Sequence, residues 1–253
     1  MKFQLISDLH LEYYKKLPNL EKLLMPSAEI LILAGNICYA KHKNFLLFFE
    51  TISRMYKYVF FILGNNEYYY NIENDLFSIA EIDLYIKNQL AHLENVFIFQ
   101  EKVLIVGDIL IAGTTLWSYI SKKSYTNRQV CMLPNNFIRC NNKLWINPEH
   151  TNKIHLKQKQ WLTNIINGYP NKKKIIITHH MPSFLCLDPK NKYDLNSKYN
   201  FSNCDSLMEK CDIWCCGKRT ISKKINGCTI HMNACGYLWE NNNSYRKNYT
   251  FFI

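Results

Sequence analysis

Short apolar runs that stop abruptly at a polar turn recur along the chain. "KFQLISDLH" ends at Asp8-Leu9-His10, "AEILILAGN" at Gly35-Asn36 and "KYVFFILGNNE" at Gly64-Asn65-Asn66-Glu67. Further along come "NVFIF", "VLIVGDILIAGTTLW", "KKKIIITHHMPS", "CDIWCCGKRT", "CTIHMNACGY" and "NYTFFI". Runs rich in β-branched and large apolar residues, bounded by Gly, Asn or Pro, read as buried strands. The "VLIVGDILIAGTTLW" stretch reads as two antiparallel strands around a Gly-Asp turn. Between the strands, residues 43–56, 73–94 and 151–166 place apolar side chains at helical spacing. Strand–helix alternation of this kind predicts an α/β fold with mixed sheets covered by helices, organised as one domain over residues 1–253. The polar, Asn-rich stretch 121–150 and the stretch 188–204 read as long irregular segments.

Composition adds limits rather than a function. The chain has 253 residues, 48% of them hydrophobic and 14% aromatic, enough for a sizeable core in one large domain. The formal charge of +11 admits an anionic or nucleic-acid partner. The lysines are nonetheless spread through the chain, and the Lys- and Asn-rich usage fits an AT-rich genome, a viral one among them. No apolar run approaches the ~18 residues of a membrane span, and the N-terminus lacks a secretory pattern. The expectation is an intracellular protein, in the host cytoplasm or virion if the source is viral. Of the 10 cysteines, Cys211, Cys215 and Cys216 lack the paired spacing of a zinc site, and most read as buried, reduced thiols.

The candidate chemistry lies at the strand ends, where open α/β sheets collect their functional groups. Asp8 and His10 are two residues apart at one such end, a carboxylate and an imidazole suited to a metal. Asn36, Asn65 with Asn66, His179 with His180, and Lys218-Arg219-Thr220 occupy the others. In order, Asp-x-His, Gly-Asn, Gly-Asn-Asn-Glu, Thr-His-His and Gly-Lys-Arg-Thr each follow an apolar strand. This succession, with "GTTLWS", "NNF" at 135–137, "QKQWL" and "NACGY" between and after, resembles the calcineurin-like metallophosphoesterase family over nearly the whole chain.

The resemblance implies a four-layer α/β-β/α sandwich of two mixed β-sheets flanked by helices. It also implies two divalent metals at the strand ends, a bridging hydroxide that attacks a phosphate ester, and a His that assists the leaving group. By position, Asp8 and His10 match ligands of one metal, and Asn65 and His179 ligands of the other. The family's bridging Asp falls at Asn36, its catalytic His at Asn66, and its Gly-His-x-His imidazoles at Lys218 and Thr220.

These departures weigh against the family's chemistry. A neutral amide bridges cations far less well than a carboxylate. A protonated Lys has no lone pair to offer a metal. Asn66 neither gives nor takes a proton near neutral pH. The expectation is a catalytically inactive homologue with no cofactor, or at most one weakly held divalent ion (Mn, Fe, Zn or Mg), reused as a binding or structural component of a protein assembly. Lys218 is expected to pair with Asp8 and stand in for the lost metal charge, with Lys218 and Arg219 offering an anion site. His180 is a further candidate acid. Two other readings stay open: a weak or mononuclear phosphoesterase on Asp8, His10, Asn65 and His179, and a nucleic-acid binder, which the charge and Tyr68-Tyr69-Tyr70 suggest.

Overall fold

The computed structural model describes residues 1–69, 77–120, 138–140, 145–187, 201–240 and 242–253. Tyr70, the "NNF" segment and most of the two stretches read as irregular lie outside them. Strands β1 (Lys2–Ile6), β2 (Ile30–Ala34), β3 (Tyr58–Ile62) and β4 (Val96–Ile98) run parallel to one another. Strands β5 (Lys102–Val106) and β6 (Ile109–Thr114) form the expected hairpin about Gly107-Asp108. Then come β7 (Lys173–Thr178), β8 (Ile213–Cys216), β9 (Thr220–Ile225), β10 (Cys228–Asn233) and β11 (Thr250–Phe252). The first sheet has the order β11-β1-β2-β3-β4 and the second β5-β6-β7-β8-β10-β9. Both are mixed, with β11 antiparallel to β1 in one, and β5 and β9 antiparallel to their neighbours in the other.

The near-continuous apolar strands follow from burial on both faces. Along β3, Phe60 and Ile62 point between the sheets, into a cluster with Phe3, Leu5, Ile111 and Ile177. Val59 and Phe61 point outward, against Phe45, Phe48 and Phe49 of helix α1 (Lys43–Ser53) and Ile82 and Ile86 of α2 (Ile79–Leu90). On the other side Leu162 and Ile166 of α3 (Pro148–Gly168) cover Leu110, Ile176 and Trp214 of the second sheet. The result is four layers, as the family resemblance implies. Each fully buried aromatic or branched side chain stabilises this arrangement by about 1.5–3 kcal/mol.

The helix boundaries differ from the sequence reading for local reasons. α2 starts only at Ile79, because Ser78 and Glu81 form a reciprocal capping box. α3 starts earlier than residue 151: Asn147 caps it and Pro148 occupies its first turn, where a missing N–H costs nothing. His42 caps α1 by accepting from the Asn44 N–H.

Candidate functional site

β1, β2 and β3 of one sheet and β7 and β8 of the other end on the same side of the sandwich. The two sheets meet there closely. A Cβ on Gly35 would lie 2.4 Å from His179 Nδ1, and one on Gly64 2.3 Å from Asn36 Oδ1. Close approach thus requires glycine in each Gly-Asn pair, and Gly35 also adopts a φ of 81°, which favours glycine. Asp8, His10, Asn36 and Lys218 all adopt positive φ, between 49° and 74°. Non-glycine residues rarely do so, and a cluster of them marks a site whose surroundings hold them there.

The side chains form one buried polar network. The Asp8 carboxylate accepts from the Asn36 amide (Oδ1, 3.1 Å) and from the Lys218 backbone N–H (Oδ2, 2.8 Å). Asn36 Oδ1 in turn accepts from the Asn66 backbone N–H at 3.0 Å. The Lys218 ammonium donates to Asn65 Oδ1 at 2.7 Å, and the Asn65 amide donates to Asn66 Oδ1 and the Tyr69 hydroxyl. His10 Nδ1 lies 3.0 Å from both Glu12 Oε1 and the Asn66 amide nitrogen, so its tautomer decides which bond it makes. His10 Nε2 is 3.9 Å from Asp8 Oδ1.

Two carboxylates complete the network, and the sequence reading assigns neither a role. Glu67 is fully buried and accepts from the backbone N–H groups of Asn36 (3.1 Å), Ile37 (2.7 Å) and Gly64 (2.7 Å). It ties the turn after β2 to the turn after β3. Burial pushes its carboxyl up to about 7, against the pull of these backbone donors. Glu12 reaches His10 from the next turn. The available signal is spacing: each acid stands one or two residues beyond a candidate site residue.

His179 and His180 come from the second sheet. His179 Nδ1 meets the Ala34 carbonyl at 2.7 Å, so it carries the proton and leaves Nε2 as a buried lone pair with no protein partner. His180 Nδ1 is likewise buried and unpartnered. Burial holds both imidazoles well below the usual histidine range, and the Lys218 charge adds to the effect. Burial also lowers the Lys218 ammonium, while Asp8 and Glu67 oppose that shift.

Asp8, His10, Asn36, Asn65, Asn66, His179 and Lys218 are therefore brought together. Thr220 turns away: its hydroxyl donates to the Ala234 carbonyl at 2.8 Å. The expected contact between the Lys218 ammonium and Asp8 is corrected. The backbone N–H of Lys218 binds Asp8, and the positive φ of this residue directs the ammonium to Asn65 instead. Tyr68 is a core residue whose hydroxyl donates to Asp83. His231 is buried at 4.4 Å ring separation on Phe251, and Asn233 bonds backbone carbonyls of Leu5 and Arg246, so both serve packing. Among the described residues, no three His, Cys, Asp or Glu side chains are grouped to hold a metal ion, and no helix is long and apolar enough to cross a membrane.

A family model for calcineurin-like phosphoesterases matches residues 1–217. The chain belongs to that family. The match ends one residue before Lys218. A curated relative, "Uncharacterized protein L509" of Acanthamoeba polyphaga mimivirus, is 29% identical over 94% of this chain and 92% of its own length. Among solved structures, phosphopantetheinyl hydrolase (PptH) from Mycobacterium tuberculosis superimposes with a TM-score of 0.68 at 16% identity, over 93% of this chain and 89% of that one. TT1561 of Thermus thermophilus gives 0.53 at 16% identity, over 92% and 88%. At such identities these two likenesses establish the phosphoesterase fold alone.

Proposed function

We propose that this calcineurin-like phosphoesterase homologue is a non-catalytic member of its family, with the strand-end site held together by hydrogen bonds and one lysine ammonium in place of two metal ions. The observation that carries the reading is the Lys218 Nζ to Asn65 Oδ1 bond of 2.7 Å. A fixed cation there consumes the acceptor atom that a second metal would need.

The rest of the donor set agrees. A divalent centre draws on carboxylate oxygens and imidazole nitrogens with free lone pairs. Both Asp8 oxygens accept N–H groups, and Asn36 turns its amide hydrogens towards Asp8 and its oxygen towards Asn66 N–H. His179 Nε2 and His180 Nδ1 are buried ring nitrogens still open, and with both Asp8 oxygens engaged they do not make a dinuclear site. These residues do not fit a pair of divalent ions. Two dications near the ammonium would add repulsion of several kcal/mol at ~4 Å and surface-type dielectric. With Asn66 at the family's proton-donor position, general acid assistance worth about 10²–10⁴ in rate is also missing.

Elemental analysis of the purified protein, after incubation with manganese and desalting, is expected to find well under one ion per chain. Turnover of generic phosphodiesters is expected at background. Two retained ions, or turnover abolished by Asp8→Ala, would overturn the proposal. The combined substitution Asn36→Asp, Asn66→His, Lys218→His and Thr220→His is expected to recover divalent-metal binding on this backbone.

A further inference from the structure

Three aromatic rings form a continuous stack that begins inside the polar centre and ends in solvent. The His10 imidazole lies under the Tyr237 ring at 4.0 Å and 21°. Tyr237 lies in turn on the Trp239 indole at 4.7 Å and 6°. Tyr13 stands edge-on to both, at 5.6 and 5.0 Å. Tyr237 thus roofs the site, with its hydroxyl facing the Asn66 amide. Trp239 carries the stack outward: one face is covered by Tyr237, yet the residue remains 64% exposed, and Tyr13 beside it is 43% exposed. A folded chain seldom leaves an indole face and a phenol together in water without a use for them.

The turn that presents the indole is built to hold it. Gly236 adopts a φ of 86°, and the Glu240 carboxylate accepts the Tyr237 N–H at 3.0 Å. Glu240 is therefore occupied within its own turn, and Glu12, the other acid nearby, is engaged with His10. The cations are not so engaged. Lys15 and Lys16 are exposed and follow Tyr13 after a single intervening residue. Arg219 is half-buried, its carbonyl accepting from the Ala234 N–H three residues before Tyr237. Among the described residues none of these three forms an ion pair, so the segments that lead to the rings carry unpaired positive charge.

We infer that the Tyr237–Trp239–Tyr13 platform binds single-stranded nucleic acid, with a base stacked on the open indole face and phosphates on Lys15, Lys16 and Arg219. Flat rings beside unpaired cations match a base joined to an anionic backbone. A duplex does not fit, because its bases have no free face. Stacking of this kind is worth about 1–3 kcal/mol per base and tolerates any base, whereas phosphate contacts add salt-dependent affinity. The inference does not depend on whether the centre beneath Tyr237 holds metal.

The test is anisotropy titration of fluorescein-labelled oligouridylate and oligothymidylate of about 12 nucleotides. The full chain is used at several salt concentrations. Saturable binding is expected, with duplex of the same length competing poorly. Trp239→Ala should weaken binding about 5- to 100-fold, and Trp239→Phe should restore most of it. Lys15→Ala with Lys16→Ala should reduce the salt slope by about 1.4. All three sites are exposed, and circular dichroism confirms that each variant folds. Equal binding by Trp239→Ala, duplex competing as well as single strand, or no binding at low salt would each overturn the inference. So would a mononucleotide that competes as well as the oligomer, or a protein partner captured through Trp239 while oligonucleotides fail to bind. Failure here leaves the metal analysis of the preceding proposal unaffected, and the reverse also holds.

Discussion

The two sheets furnish the polar centre in opposite ways. On the first-sheet side, Asp8, Asn36, Asn66 and Glu67 pass hydrogen bonds from one to the next, and the carboxylate oxygens of Asp8 and Glu67 are met by N–H donors. On the second-sheet side, His179 and His180 each bury a ring nitrogen with no partner, and the charge is carried by Lys218. A satisfied buried network is rigid and costly to interrupt, whereas an unpartnered buried atom already carries its desolvation penalty. The first half is therefore a structural tie between strand-end turns. The second is a pair of imidazoles that the fold tolerates, with one ammonium linking that side back to Asn65.

This contrast sets the scale of the expected mutational effects. Glu67→Ala should be the most damaging, because three backbone N–H groups lose their acceptor at once; a loss of about 4 kcal/mol is expected from the urea midpoint. Glu67→Gln should recover part of that, since an amide oxygen still accepts. Lys218→Met comes next. It leaves Asn65 Oδ1 without its donor and removes the positive charge beside Asp8, at a cost of about 2–3 kcal/mol. A neutral result would break the comparison, because the two halves would then not be tied through the ammonium.

A pH experiment away from the rim serves as the control. His231, on β10, is held down to about 4 by burial, while its unfolded value is near 6.5. The unfolded chain therefore binds the proton more readily. The stabilisation from a neutral His231 is complete above pH 6.5 and is lost as pH falls towards 4. The residue keeps 9% of its surface in water, and screening limits this to about 1–2 kcal/mol. His231→Phe should flatten that portion of the stability–pH curve. The smallest effect is expected for His180→Phe, within about 1 kcal/mol by thermal unfolding, because Nδ1 has no partner and the bond to the Thr115 backbone is the one lost. A loss comparable to that of Glu67→Ala would show that the second-sheet side is as tightly bound as the first.

Much of the fold is legible from strand chemistry. "FFIL" and "IIIT" carry apolar residues at successive positions because the strands are buried on both faces, and a Gly-Asp pair between two apolar runs marks the hairpin. The start of α2 is less legible from periodicity than from the Ser78-x-x-Glu81 box, which fixes it. In the site, the order of strand ends marks the residues from Asp8 to Lys218 as neighbours, and hydrogen bonds join them. Thr220 escapes that pattern, because a hydroxyl can satisfy itself on the nearby Ala234 carbonyl.

By itself the sequence determined the element order, the family and the identity of the groups at each strand end. It also placed amides at 36 and 66 and a lysine at 218. Only the tertiary structure decided how those groups use their lone pairs and protons. Lys218 is 153 residues from Asn65 and 210 from Asp8. Its positive φ, set by how the two sheets meet, sends the ammonium to one and the backbone N–H to the other. The stack from His10 through Tyr237 to Trp239 joins distant parts of the chain, and no local pattern could reveal it.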